Sequence, residues 1–213
     1  MGLRERKKAE TRTALSWAAI RLTVERGLDN VKVEDIAAAA GVSPRTFNNY
    51  FASKAEAIVS RQLDRLLHVA DELRRRPAAE PLWAAINRAA LAQFEPGPEL
   101  IAYPMGDHAQ WTAGVRVMLA EPSLQGEMLR AGARAEAEVA AAVAERTGTD
   151  LRRDLYPHLV AAAVLAAMNV AMAHYLRVDP PVPMDRLLTD ALAPFEAGLP
   201  TPQSVPNRGF DRD

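Results

Sequence analysis

The sequence predicts an all-α fold, on three observations. Apolar residues recur at three- and four-residue spacings in every long segment, no run alternates apolar and polar as a strand does, and residues that start or stop helices fall between the periodic segments. The 213 residues, 49% hydrophobic and 25% charged, are enough to bury a core and belong to the globular range.

The elements follow in order. Thr11 to Arg26 places Ala14, Leu15, Ala18, Ala19 and Leu22 on one face and stops at Gly27, which can take the left-handed conformation of a helix end. A short helix is predicted over 34–40, ending at Gly41. Ser43-Pro44 then supplies a capping hydroxyl and a proline at the first helical position, opening a third helix to Phe51. Ser53-Lys54-Ala55-Glu56 is a capping box that opens a long helix to Arg76. Prolines punctuate the remainder into helical segments at 79–95, 106–120, 123–147, 150–177 and 184–197, nine in all. Glu95 to Gly106, with three prolines and two glycines, reads as a sizeable loop, and 199–213 as a disordered tail.

Charge divides the chain. Met1 to Arg76 holds 15 Lys+Arg against 10 Asp+Glu, a balance of +5, whereas Pro77 to Asp213 holds 11 against 17, a balance of −6. A basic first third on an acidic remainder suits two different partners, nucleic acid for the first, although an excess of this size also arises by chance. Cysteine is absent, which excludes disulfides, thiolate nucleophiles and zinc fingers and is compatible with a reducing cytoplasm. The charged start is no secretory signal, and the longest nearly apolar run, Leu159 to Ala173, is shorter than the 20 or so residues a membrane span needs. A cytoplasmic protein without a membrane segment is therefore expected.

Val33 to Phe51 carries the strongest signal. Two short helices are joined by Gly41-Val42-Ser43, Ala37 is small enough for a close crossing, and Ile36, Val42 and Phe47 can fill a small core. That is what a helix-turn-helix requires, with its second helix in the major groove of DNA. Phe47 and Phe51, four apart, face inward, which leaves Arg45, Thr46, Asn48, Asn49 and Tyr50 outward. Arginine can pair with guanine and asparagine with adenine through two hydrogen bonds each, and Thr or Tyr can reach phosphate or a thymine methyl. Lys54 opens the next helix, where it either meets a phosphate or is a surface charge. Arg4, Arg6, Lys7, Lys8 and Arg12 form a basic arm that either touches DNA or only solubilises the terminus.

The run from Val33 through Gly41-Val-Ser-Pro-Arg-Thr-Phe-Asn-Asn-Tyr-Phe51 to Lys54 and Ile58 resembles the DNA-binding signature of the TetR/AcrR family of transcriptional regulators, over about residues 9–60. The resemblance implies a homodimeric repressor whose body binds a small molecule and whose last two long helices form the dimer interface. It places Thr46, Asn48, Asn49, Tyr50 and Lys54 at DNA. Two positions depart from the pattern. Lys32 stands where the family usually has a capping threonine that touches phosphate, and Asn48 stands where many members carry an aromatic. The candidate DNA-binding set is thus Lys32, Ser43, Arg45, Thr46, Asn48, Asn49, Tyr50 and Lys54. The expected organisation is a DNA-binding domain over 1–53 and a ligand-binding and dimerisation domain over 54–198.

In the body, Leu155 to Leu176 is small and apolar on nearly every side, so it is covered all round, either within the subunit or in a two-fold helical interface made with 184–197. Asn169 within it requires a partner, across the dimer, on backbone or on a ligand. Trp83, Phe94, Trp111, Met118, Met168 and Met172 are large adaptable side chains that pack as core or line a cavity for a hydrophobic or aromatic effector. His108, beside Asp107, could meet a polar ligand group. The four histidines show no ligand spacing, so neither metal nor cofactor is expected. A ligand-responsive repressor on a palindromic operator fits best. An architectural DNA-binding dimer without a cavity comes second, and an enzyme last, because no nucleophile–base pair, phosphate loop or dinucleotide fingerprint is present.

Overall fold

A computed structural model describes residues 2–94, 108–178 and 182–200. Among them are nine α-helices and no strand. The first four are α1 (Leu3–Arg26), α2 (Val33–Ala39), α3 (Pro44–Asn48) and α4 (Lys54–Arg75); then come α5 (Leu82–Leu91), α6 (His108–Leu119), α7 (Pro122–Thr147), α8 (Tyr156–Tyr175) and α9 (Met184–Glu196). Short 3-10 turns occupy Leu28–Asn30 and Ala92–Phe94. The loop foreseen over 95–106 and the tail from 201 onward lie outside the described residues.

Several bounds differ from expectation. α1 begins at Leu3, not Thr11, so the basic arm is an exposed helical extension. It is built from good helix formers and carries an Arg6–Glu10 ion pair at 3.5 Å, one turn apart. α3 stops at Asn48, its last turn tightening as the Asn49 amide bonds to the carbonyls of both Arg45 and Thr46. α8 starts at Tyr156, because Asp150 to Asp154 folds as a turn in which the Asp154 carboxylate accepts the Asp150 amide at 2.7 Å. By length and composition α8 could cross a bilayer, and it is longer than the apolar run that foreshadowed it. It packs between α7 and α9, however, and supplies Val160, Val164 and Met168 to the core.

Two apolar cores organise the molecule. The first gathers Leu15, Val31, Ile36, Phe47 and Phe51 around α1–α3; the second gathers Val69, Leu73, Ile86, Val139 and Leu188 among α4, α5, α7 and α9. α4 belongs to both, giving Ala57, Ile58 and Val59 to the first and Leu66 to Leu73 to the second. Its most extensive packing is against α7. The first core also takes Met118, Leu124 and Ala131 from α6 and α7. Where α4 ends, Arg146 of α7 donates to the carbonyls of Arg76, Pro77 and Glu80 at 3.2, 2.6 and 2.7 Å and fixes the connection to α5. The adjoining Arg76 guanidinium, hydrogen-bonded to Glu80, holds that carboxyl below its usual range.

Candidate DNA-binding surface and cavity

α2 and α3 cross over Ala37, which is fully buried with Ile36 and Phe47. Gly41 makes the turn at φ +69°, in the left-handed region where other residues are strained. The Val42 amide then returns to the Ala37 carbonyl at 2.9 Å. Ser43 caps α3, its hydroxyl accepting the Thr46 amide at 3.1 Å and lying 2.9 Å from the Thr46 hydroxyl. The Phe47 and Phe51 rings meet at 5.7 Å and pin α3 to the core. Opposite them Arg45, Asn48 and Asn49 are exposed, as the spacing predicts. Thr46 is half-buried, and so is Tyr50, whose ring packs on the first core. Val42, read as a core residue, is also only half-buried.

Lys32 is exposed at the start of α2, and its own amide donates to the Asp35 carboxylate at 3.0 Å, which does the capping that threonine would otherwise share. Lys54 is turned inward. Its ammonium donates to the carbonyls of Leu28 at 2.5 Å and Val31 at 3.0 Å, tying the first turn of α4 to the segment between α1 and α2. The expected capping box at Ser53 is present with one shift: Ser53 accepts the Glu56 amide, while Glu56 reaches back to the amide of Ala52. Arg12 of the basic arm is ion-paired with Asp64 and lies over the Phe51 ring at 5.2 Å, so it braces α1 against α4.

A cavity of about 370 Å³ opens between the two cores, within the range that holds small organic ligands. Of the residues singled out from sequence, Phe94, Trp111, Met118, Met168, Asn169 and Met172 line it. Trp83 does not: its ring stacks on Phe195 of α9 at 6.1 Å and 17°, as core packing. The His108 side chain lies outside the described residues. Asn169 is exposed, not buried, and its amide oxygen accepts from Gln62 at 3.4 Å across the cavity rim.

Sequence reasoning missed the wall contributed by α4 and α1. Arg61, Gln62, Arg65 and Leu66 line the cavity from α4, and Trp17 and Ile20 from α1. The signal was present as a stripe at 58, 61, 62, 65 and 66, one helical face that any core-packing helix also shows. Tyr175 also lines it, and burial pushes the pKa of its hydroxyl up from the ordinary value. α6 closes the cavity with Trp111, Thr112, Val115, Met118 and Leu119. It approaches α1 so closely that a Cβ on Gly114 would stand 2.5 Å from Val24 Cγ1 and 3.3 Å from the Val24 carbonyl.

Comparison with known proteins matches both halves of this arrangement. Residues 17–58 match the family described as bacterial regulatory proteins, tetR family, and residues 80–200 match the MftR C-terminal domain. The HTH-type transcriptional regulator TcmR of Streptomyces glaucescens is 36% identical over 184 residues, covering 84% of this chain and 79% of TcmR. The mycofactocin biosynthesis transcriptional regulator MftR of Mycobacterium tuberculosis is 31% identical over 198 residues, covering 91% and 93%. Among solved structures, a TetR-family regulator from Rhodococcus sp. superposes with a TM-score of 0.55 at 20% identity, over 90% of this chain and 100% of that one. Thermus thermophilus FadR, in complex with lauroyl-CoA, does so at 0.51 and 18% identity, over 93% and 100%. At these identities the structures establish the shared fold.

Proposed function

The chain belongs to the TetR family of bacterial regulatory proteins, and on that premise we propose a ligand-responsive repressor that binds a palindromic operator as a homodimer and is released by a small, largely apolar molecule. DNA binding and transcriptional regulation come with the family; the repression, the palindrome, the dimer and the ligand are this reading's own. The observation that carries it is the continuity of α4. One end is tied through Lys54 to the helix-turn-helix unit, and the middle of the same helix walls the cavity through Arg61, Gln62 and Arg65. A molecule in the cavity presses on the helix that positions α3. The cavity also favours this reading over an architectural protein with a solidly packed body.

Two-fold pairing through α8 and α9 is supported by an apolar face of α8 that the single chain leaves open: Leu159 is 65% and Val170 64% exposed. Two α3 helices about 34–36 Å apart would then read successive major grooves, Arg45 and Asn48 at base edges and Lys32 at phosphate. A coupling of about 1–3 kcal/mol would lower DNA affinity about 5–150-fold on ligand binding.

The test is selection from random-sequence DNA at about 150 mM salt, where phosphate attraction is weakened and base reading survives. A palindrome is enriched by the wild type and lost by Arg45→Ala or Asn48→Ala. Enrichment of no sequence by a folded dimer overturns the reading.

A further inference from the structure

We propose that the N-terminal extension of α1 is a second DNA contact, in which Arg4, Lys7 and Lys8 meet backbone phosphates flanking the bases that α3 reads. This rests on DNA binding, which comes with the family, and on neither the ligand nor the dimer. Arg4, Lys8, Thr11, Leu15, Ala18 and Leu22 succeed one another at steps of three or four with Lys7 beside them, so they share one face of α1. At Leu15, Ala18 and Leu22 that face is buried in the first core, whereas at Arg4, Lys7 and Lys8 it is exposed and cationic. The stripe thus changes from apolar to cationic where α1 passes the edge of the core. Arg12 marks that edge, with its guanidinium over the ring of Phe51, just past the end of α3. The extension therefore starts beside the helix that reads bases.

Arg6, on another side of the helix, is ion-paired with Glu10 at 3.5 Å, whereas Arg4, Lys7 and Lys8 have no ion pair among the described residues. The positive end of the helix dipole lies at the first turn and disfavours cations there. Three unpaired cations in and next to that turn suit a polyanion laid alongside, which offsets both their mutual repulsion and the dipole. From Leu3 to Thr11 the extension rises about 12 Å. A duplex carries one charge per about 1.7 Å of its axis, so several phosphates fall within that reach. Once α3 is docked, the extension meets them at the high effective concentration of an intramolecular contact.

The full-length protein is titrated by fluorescence anisotropy against a mixed-sequence duplex of about 40 base pairs, at salt from about 50 to about 200 mM. The triple variant Arg4→Ala/Lys7→Ala/Lys8→Ala makes the slope of log K against log salt shallower by about 2–3, at about 0.9 for each lost phosphate. Lys7→Arg/Lys8→Arg, which retains the charge, keeps the wild-type slope. Arg6→Ala, which removes a charge from the other side of the helix, keeps it too. An unchanged slope in the triple variant overturns the proposal, and so does a fall of about 0.9 in Arg6→Ala, because net charge alone would then be acting. None of the three residues belongs to either core, so the variants fold, as circular dichroism checks. The duplex requires no operator, so a selection that enriches no palindrome leaves this test in force. An unchanged slope leaves the operator experiment standing, whereas a wild type that binds no duplex overturns DNA binding itself and this proposal with it.

Discussion

Lys54 shows how a single side chain can be placed by pattern and then used differently by the fold. Position and charge point it at DNA, yet its ammonium is committed to the carbonyls of Leu28 and Val31. Both carbonyls lie in the connection between α1 and α2, where the Leu28 oxygen also accepts the Val31 amide of the 3-10 turn. The turn had no signature in the sequence, so its acceptors could not be foreseen. Lys32, by contrast, is exposed at the entry to α2. The two lysines therefore separate by salt dependence. Lys32→Ala reduces the slope of log K against log salt by about 0.9, as loss of one phosphate contact does. Lys54→Met leaves that slope unchanged and lowers folding stability by about 1–3 kcal/mol, read from urea unfolding, because two backbone acceptors lose a charged donor. A slope that drops by about 1 in Lys54→Met, with stability intact, would show the ammonium on phosphate instead.

At the level of elements, the helices were legible wherever their ends carry a chemical mark. Ser43-Pro44, Ser53 with Glu56, and Pro122 each open a helix where the residue types say they should. The start of α1 was not legible, because Gly2 offers no side-chain cap and the extension is held by propensity and one surface pair. Cavity and core were harder to separate, since both use the same three-four spacing. Trp83 and Phe94 look alike in sequence; in the fold Trp83 stacks on Phe195, about a hundred residues away, whereas Phe94 lines the cavity. The contact of α6 with α1 was also invisible, because it depends on what Gly114 lacks. Gly114→Ala pushes its new Cβ into Val24, whose branched side chain has little freedom to turn, and costs about 1–3 kcal/mol less the helix-propensity gain of about 1. In a double-mutant cycle by thermal unfolding, the same change made in Val24→Ala costs less. If Gly114→Ala alone stabilises the protein, the close approach has no energetic weight.

For the molecule as a whole, the apolar face of α8 has the largest consequence. Leu159 and Val170 are exposed on a helix whose other faces are covered by α7 and α9. Replacing both, as Leu159→Glu/Val170→Glu, places like charges opposite one another across a two-fold axis and converts a dimer to monomers in sedimentation, with helix content by circular dichroism unchanged. A wild type that sediments as a monomer at tens of micromolar would remove this interface. The first core makes a different point about the chain. Its boundary at residue 53 looks like a seam in sequence, yet Ala57, Ile58, Val59, Met118, Leu124 and Ala131 complete the packing around Phe47 and Phe51. A reader of DNA cut free at that seam would lack part of its own interior, and a chimera joined there would carry a head shaped for another body. Any transplant of operator specificity onto a new sensor has to move the matching patches of α4, α6 and α7 as well, or confine itself to the exposed residues of α3.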